Sequence, residues 1–133
     1  MNKTIQREAI LHELRMRKDH PTAEELYGAL HEAMPQLSLG TVYRNLEQLS
    51  AAGIIRKLDV SGKRMRFDGD ISPHHHIRCR ECGGVRDIPG AATMVLDRQM
   101  ERMKEEYQCD SYTLEFKGVC PACSASGKQN KLQ

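Results

Sequence analysis

The chain has 133 residues, of which 39% are hydrophobic and 29% charged, with no Trp and only two Phe. That length suits one ordinary domain or two very small ones, and a unit below about 80 residues usually needs a metal, a disulfide or a partner chain. No stretch approaches the ~20 apolar residues of a membrane span, and Arg7, Glu8, His12 and Glu13 interrupt the opening segment, unlike a signal peptide. A cytoplasmic protein with no membrane partner is expected.

The net charge is +2, but it is unevenly spread. Residues 38–67 carry six basic and two acidic side chains, a local excess of four in a chain whose remainder is slightly acidic. Such a segment points to a polyanion. A solvated basic face is the competing reading.

Ile5, Ala9, Ile10 and Leu14 recur at helical spacing, which predicts a helix over residues 4–17. His20-Pro21-Thr22 breaks it. Thr22 and Glu25 form a capping-box pair, and Leu26, Tyr27, Leu30 and Met34 continue a second apolar face up to Pro35. Ser38 is a suitable N-cap for a third helix, with Leu39, Val42, Leu46 and Leu49 turned inward and Gly53 just past its end. Leu58 and Val60, the Ser61-Gly62 turn, then Met65 and Phe67 read as a hairpin.

Three helices and a hairpin make a winged helix-turn-helix, whose third helix would enter the major groove of DNA. Thr41, Tyr43, Arg44, Asn45 and Gln48, on the polar face of that helix, can all bond bases or phosphates. A merely solvated helix would more often carry Glu/Lys pairs. A generic three-helix core or a protein-binding winged helix is the alternative.

Composition changes near Gly69, where histidines and cysteines arrive together. Residues 1–70 are therefore read as the winged-helix DNA-binding domain and 71–133 as a second, metal-containing domain. In the latter, residues 91–107 predict a Met-rich helix with Leu96, Met100, Met103 and Tyr107 on one face. That stripe is either core or a dimer face. Tyr112, Leu114 and Phe116 alternate as a strand, and the polar tail 124–133 is expected to be disordered.

Four of the five cysteines fall in two Cys-x-x-Cys pairs, Cys79/Cys82 and Cys120/Cys123. Two such knuckles supply the four soft ligands of a structural Zn²⁺ site, which would tie together the start and end of the second domain. A redox pair or plain buried thiols are the alternatives. Cys109 reads as an ordinary partly buried thiol. His74 and His76 would share one face of an extended segment, with His75 opposite. Asp68 and Asp87 lie near in sequence, and a His/Asp set suits a harder, exchangeable ion such as Fe²⁺ or Mn²⁺. A solvated polar loop is the competing reading.

Thr4-Ile5-Gln6-Arg7, His20-Pro21-Thr22-Ala23, Ser38-Leu39-Gly40-Thr41-Val42-Tyr43-Arg44, Arg66-Phe67-Asp68, His74-His75-His76 and the two Cys-x-x-Cys pairs occur in this order. Across residues 4–123 this pattern closely resembles the ferric uptake regulator family of bacterial metal-dependent repressors. The resemblance implies an α+β homodimer with an N-terminal winged helix, a C-terminal α/β dimerisation domain with structural zinc, and a regulatory metal at the hinge. It assigns His20, Asp68, His74, His76 and Asp87 as the regulatory ligands, so that His20 gains a role no local pattern gives it.

Asp at both 68 and 87 is similar to the family's peroxide-stress branch, where iron-sensing members typically carry Glu. The resemblance therefore implies repression at inverted-repeat operator DNA, with His20 or His74 oxidised when iron meets peroxide. Repression governed by iron or manganese availability is the alternative within the family. The zinc-sensing branch carries a cysteine shortly before its His-x-His, and this chain does not. Only residues 1–3 precede the Thr-x-Gln-Arg motif, where most members have a further helix. Tyr112 stands where many members have a histidine, and no acid lies between His74 and His76, so no second exchangeable site is expected.

An enzyme is disfavoured. The zinc deaminase signature needs His-x-Glu and Pro-Cys-x-x-Cys. Here Ile77-Arg78 follow His76 and Pro121 lies inside its cysteine pair.

Overall fold

The computed structural model describes residues 3–58, 65–110, 112 and 114–125. The Ser61-Gly62 turn, with Val60, and the tail beyond residue 125 lie outside these. The chain forms two compact units, Met1–Ser72 and Pro73–Gln133, dividing two residues beyond the boundary expected from composition.

The first unit contains α1 (Lys3–Met16), α2 (Ala23–Leu30), α3 (Leu39–Ala51) and a hairpin of β1 (Arg56–Leu58) and β2 (Arg66–Asp68). The capping box forms as the sequence predicts. Thr22 N donates to Glu25 Oε1 at 2.9 Å, and Glu25 N to Thr22 Oγ1 at 3.2 Å. Ser38 Oγ accepts from Thr41 N at 3.1 Å to open α3, and Gly53, at φ +75°, follows its C-cap. Ile10, Leu14, Leu26, Leu37, Val42, Leu46, Leu49, Ile55 and Phe67 form one buried core. Each such side chain contributes about 1.5–3 kcal/mol through burial, enough to hold short helices that would be marginal alone.

Two details of this unit differ from expectation. Ile5 is 55% exposed, because α1 turns only its Ile10 and Leu14 end fully inward. The second helix ends at Leu30 rather than at Pro35. Met34 still packs against the core from a turn in which Met34 N bonds Leu30 O and Leu37 N bonds Met34 O.

In the second unit β3 (His76–Cys79), β4 (Val85–Asp87) and β5 (Glu115–Gly118) form a sheet in the order β4-β3-β5, with α4 (Gly90–Tyr107) and α5 (Pro121–Ala125). β3 and β4 are antiparallel, and β3 and β5 are parallel with Cys79 opposite Gly118. The last strand therefore starts later than the Tyr112-Leu114-Phe116 alternation suggests, since pairing with β3, not periodicity, decides where it begins. Ser124 and Ala125 belong to α5, with Ser124 N bonded to Cys120 O, so the helix takes the first two residues of the expected tail.

The α4 stripe divides. Leu96 and Met100 are half-buried, whereas Met103 and Tyr107 are exposed, as are Met94 and Val95 on the same helix. Ile77 and Phe116, paired across β3 and β5, are exposed too. Among the described residues no helix is long and apolar enough to cross a membrane.

Candidate functional site

The two cysteine knuckles meet because their strands pair. Cys79 ends β3 beside Gly118, and Arg80 N bonds Gly118 O at 2.8 Å, so Cys120 arrives next to the first knuckle. Cys79, Cys82, Cys120 and Cys123 then offer sulfur atoms that all lie within 4.8 Å of one another. A tetrahedron with Zn–S bonds of ~2.3 Å requires edges of about 3.8 Å. The Cys82 and Cys120 Sγ atoms are 3.8 Å apart.

Backbone amides already favour thiolate here. Cys79 Sγ accepts from Cys120 N at 3.2 Å and Cys82 Sγ from Gly84 N at 3.4 Å. Burial raises the Cys79 pKa, but the amides of Cys120, Cys82 and Glu81 outweigh it and bring the thiol down to about 6. Its neighbour behaves oppositely, for Cys120 and burial push Cys123 up to about 12. Four crowded thiols cannot all ionise without a cation, and a dication is what this donor set fits. Cys109 lies apart and is exposed, not partly buried as predicted.

A second His/Asp arrangement sits at the entry to β3. Alternation sends His74 and His76 to one side, with ring centroids 4.5 Å apart. Their Nε2 atoms lie 3.2 and 3.3 Å from the same oxygen, Asp87 Oδ1. The register that pairs His76 with Asp87 across β3 and β4 makes this possible. His75, facing the other way, is buried and bonded to Asp97, which also receives Tyr112 and Thr93. Tyr112 and then His75 hold the Asp97 carboxyl below its usual range, and Asp97 in turn pushes the Tyr112 phenol up to about 12.

The first unit holds its own histidine–carboxylate pair. His20 Nδ1 is 3.6 Å from Asp68 Oδ2, and both residues are almost completely buried. Strand β2 brings them together: Phe67 N bonds Pro21 O at 3.0 Å, Arg66 bridges to Thr22, and Arg66 Nη1 bonds His20 O at 3.0 Å. His20 adopts φ +49°, a left-handed conformation that costs a non-glycine residue about 1–3 kcal/mol and survives only where the surroundings over-determine it. Asp68 Oδ1 is fixed by Asp70 N at 2.9 Å.

On α3 the polar residues predicted to read DNA lie on one side of the unit. Tyr43, Arg44 and Gln48 are exposed, and Thr41 and Asn45 half-buried. Asn45 Nδ2 is partly spent on Thr41 O at 2.9 Å, whereas Arg44 Nη2 makes only a long 3.4 Å contact with Thr41 Oγ1. Thr41, Arg44, Asn45 and Gln48, but not Tyr43, share a groove of about 350 Å³ with Lys3, Thr4, Gln6 and Arg7 of α1. Sequence reasoning missed that second wall. Lys3 and Arg7 were visible as charges, but nothing local says that the start of α1 flanks α3.

The family model for the ferric uptake regulator family matches residues 1–117. The peroxide-responsive repressor PerR of Staphylococcus aureus strain USA300 is 34% identical over 120 residues, covering 90% of this chain and 80% of that protein. Among solved structures, the Campylobacter jejuni peroxide stress regulator superposes with a TM-score of 0.77 at 27% identity, over 91% of this chain and 90% of that one. A zinc-bound manganese uptake regulator gives 0.70 at 30% identity, over 90% and 91%. The chain belongs to the ferric uptake regulator family.

Proposed function

We propose that this protein is a metal-dependent transcriptional repressor that binds inverted-repeat operator DNA as a homodimer and senses peroxide through iron. The observation that carries the reading is the convergence of His74 Nε2 and His76 Nε2 on Asp87 Oδ1, at 3.2 and 3.3 Å. Two imidazoles and a carboxylate aimed at one point suit Fe²⁺ or Mn²⁺ better than a sequestered zinc, which belongs with the four cysteines. The family resemblance adds His20 and Asp68 to the ligand set. Metal binding would favour one conformation of the protein, and so one spacing of the two α3 helices in the dimer.

Three features support the remaining parts. The groove formed by α3 and the start of α1 is polar and basic, as a phosphate-facing surface must be. The exposed Met94, Val95, Met103 and Tyr107 of α4 and the Ile77–Phe116 pair supply apolar surface for a second copy. Aspartate at both 68 and 87, with the likeness to the S. aureus peroxide-responsive repressor, favours peroxide as the signal.

Ferrous iron held by these residues would supply the transfer of one oxygen atom from peroxide to an imidazole, with water as the other product. By the family resemblance, His20 and His74 would be the side chains that gain that oxygen. An oxidised imidazole is a weaker donor, so the ligand set fails and DNA is released.

The test is operator binding by the zinc-loaded protein with Fe²⁺, with Mn²⁺ and with neither, before and after peroxide. Binding that needs either ion, with only the iron form lost to peroxide, is the expected result. Equal affinity in all three states overturns the repressor mechanism. Metal-dependent binding that ignores peroxide in both forms assigns the protein to iron or manganese availability instead.

A further inference from the structure

Three consecutive histidines are gripped by two different aspartates. His74 and His76 face Asp87, while the His75 ring, only 8% exposed, places Nε2 2.8 Å from Asp97 Oδ1. Asp97 is itself fixed from several sides. Oδ1 also accepts from the Tyr112 hydroxyl at 2.5 Å, and Oδ2 accepts from Thr93 Oγ1 at 3.0 Å. Tyr112 in addition packs its ring against His75, with centroids 5.4 Å apart. The main chain is anchored as well, since Ile88 N bonds His75 O at 2.9 Å.

Three protons, from imidazole, phenol and hydroxyl, meet the two oxygens of one carboxylate, and His75 is held through Nε2 alone, its Nδ1 being buried without a hydrogen-bond partner among the described residues. The consequence falls on the neighbours of His75. Any rotation of the backbone at residue 75 changes the placement of His74 relative to His76, because the two flank it in the chain. Pinning the middle side chain to α4 removes that freedom before a metal arrives, and preorganised ligands bind more tightly than ligands that must be ordered on binding.

We propose that Asp97, locked by Tyr112 and Thr93, is a positioning residue for the regulatory metal: through His75 it sets the main-chain path from which His74 and His76 reach the ion. The inference rests on the reading of His74 and His76 as metal ligands. It gives Tyr112 a role as well, that of holding Asp97 from the segment preceding β5.

The experiment compares Asp97→Ala, Tyr112→Phe and His74→Ala in the full chain with its zinc retained, by Mn²⁺ titration and by the visible spectrum with Co²⁺ as probe. Asp97→Ala should weaken Mn²⁺ binding by about tenfold or more, the usual effect of losing a residue that orients a ligand. Tyr112→Phe should show a smaller loss in the same direction. In both variants the Co²⁺ bands should shift, a signature that a change elsewhere in the fold would not produce. Where Asp97→Ala fails to fold or loses zinc, Tyr112→Phe, which removes one hydroxyl, decides alone. Parental Mn²⁺ affinity and Co²⁺ spectra in Asp97→Ala and Tyr112→Phe, with binding lost in His74→Ala, overturn the positioning role and leave the metal site standing. Parental affinity in His74→Ala overturns the site itself, and the role of Asp97 with it.

Discussion

The Tyr43 hydroxyl donates to Glu24 Oε1 at 2.8 Å, so an acid of α2 holds a side chain of α3 that is placed to meet DNA. The contact orients the phenol but also sets a negative charge beside the surface proposed for phosphates. Glu24→Gln should therefore raise affinity for any duplex by up to about fivefold at low salt, the scale of one solvent-exposed charge. It should also blunt the preference for operator over random sequence, because a neutral amide oxygen holds the Tyr43 hydroxyl less firmly than a carboxylate. Competition binding at two salt concentrations separates the two effects. Unchanged affinity and unchanged preference would show that Glu24 lies outside the interface.

Arg44 and the start of α1 should behave differently from each other. Arg44→Ala, if the guanidinium reads a base edge, should cost about 1–3 kcal/mol and relax specificity at one operator position. Lys3→Ala and Arg7→Ala, across the same groove, should weaken binding to all sequences alike and lower the salt dependence by about one ion each. A sequence-uniform loss from Arg44→Ala would move that residue from base reading to phosphate contact.

Structural zinc at Cys79, Cys82, Cys120 and Cys123 makes a third claim. In a unit this small, metal-binding energy is folding energy. Cys79→Ser should lose zinc, unfold the second unit and yield monomers, and prolonged chelation of the parent should do the same. Zinc content by elemental analysis and mass by light scattering report both. A Cys79→Ser protein with full zinc that remained dimeric would refute the assignment.

How much of this could be read in the residues depended on the range of the forces involved. The Ser38 cap, the α3 period and Gly53 act within a few residues, and α3 runs from Leu39 to Ala51 with Gly53 just past its C-cap. Paired Cys-x-x-Cys announces its own partner, so the four-sulfur cluster was legible although 37 residues separate the pairs. His20 had no local signal, because it meets Asp68 only once β2 has paired with the His20-Pro21-Thr22 segment; family resemblance supplied it. Glu24 and Tyr43 are 19 residues apart and on different helices. Asp97 carries no local signal of its own, and Tyr112 reads as the first residue of a strand. Their shared bond to His75 exists only in the folded second unit.

The last prediction concerns where peroxide leaves its mark. Cys109 is exposed but has no second thiol placed to resolve it, and thiolates held on zinc react poorly. The histidines of the regulatory site are the better targets, since an oxidant formed at bound iron acts before it can diffuse. His20 and His74 should each be able to gain one oxygen, with Asp68 and Asp87 unchanged. His75, turned away toward Asp97, should stay unmodified and so serves as an internal control one residue from a target. Peptide mass spectrometry of the iron-loaded protein after mild peroxide should place the added oxygen on His20 or His74, and the manganese-loaded protein should show none. Loss of DNA binding should track the oxidised fraction. Oxygen found on Cys109 alone, with both histidines intact and DNA binding lost, would transfer the sensing role to that thiol.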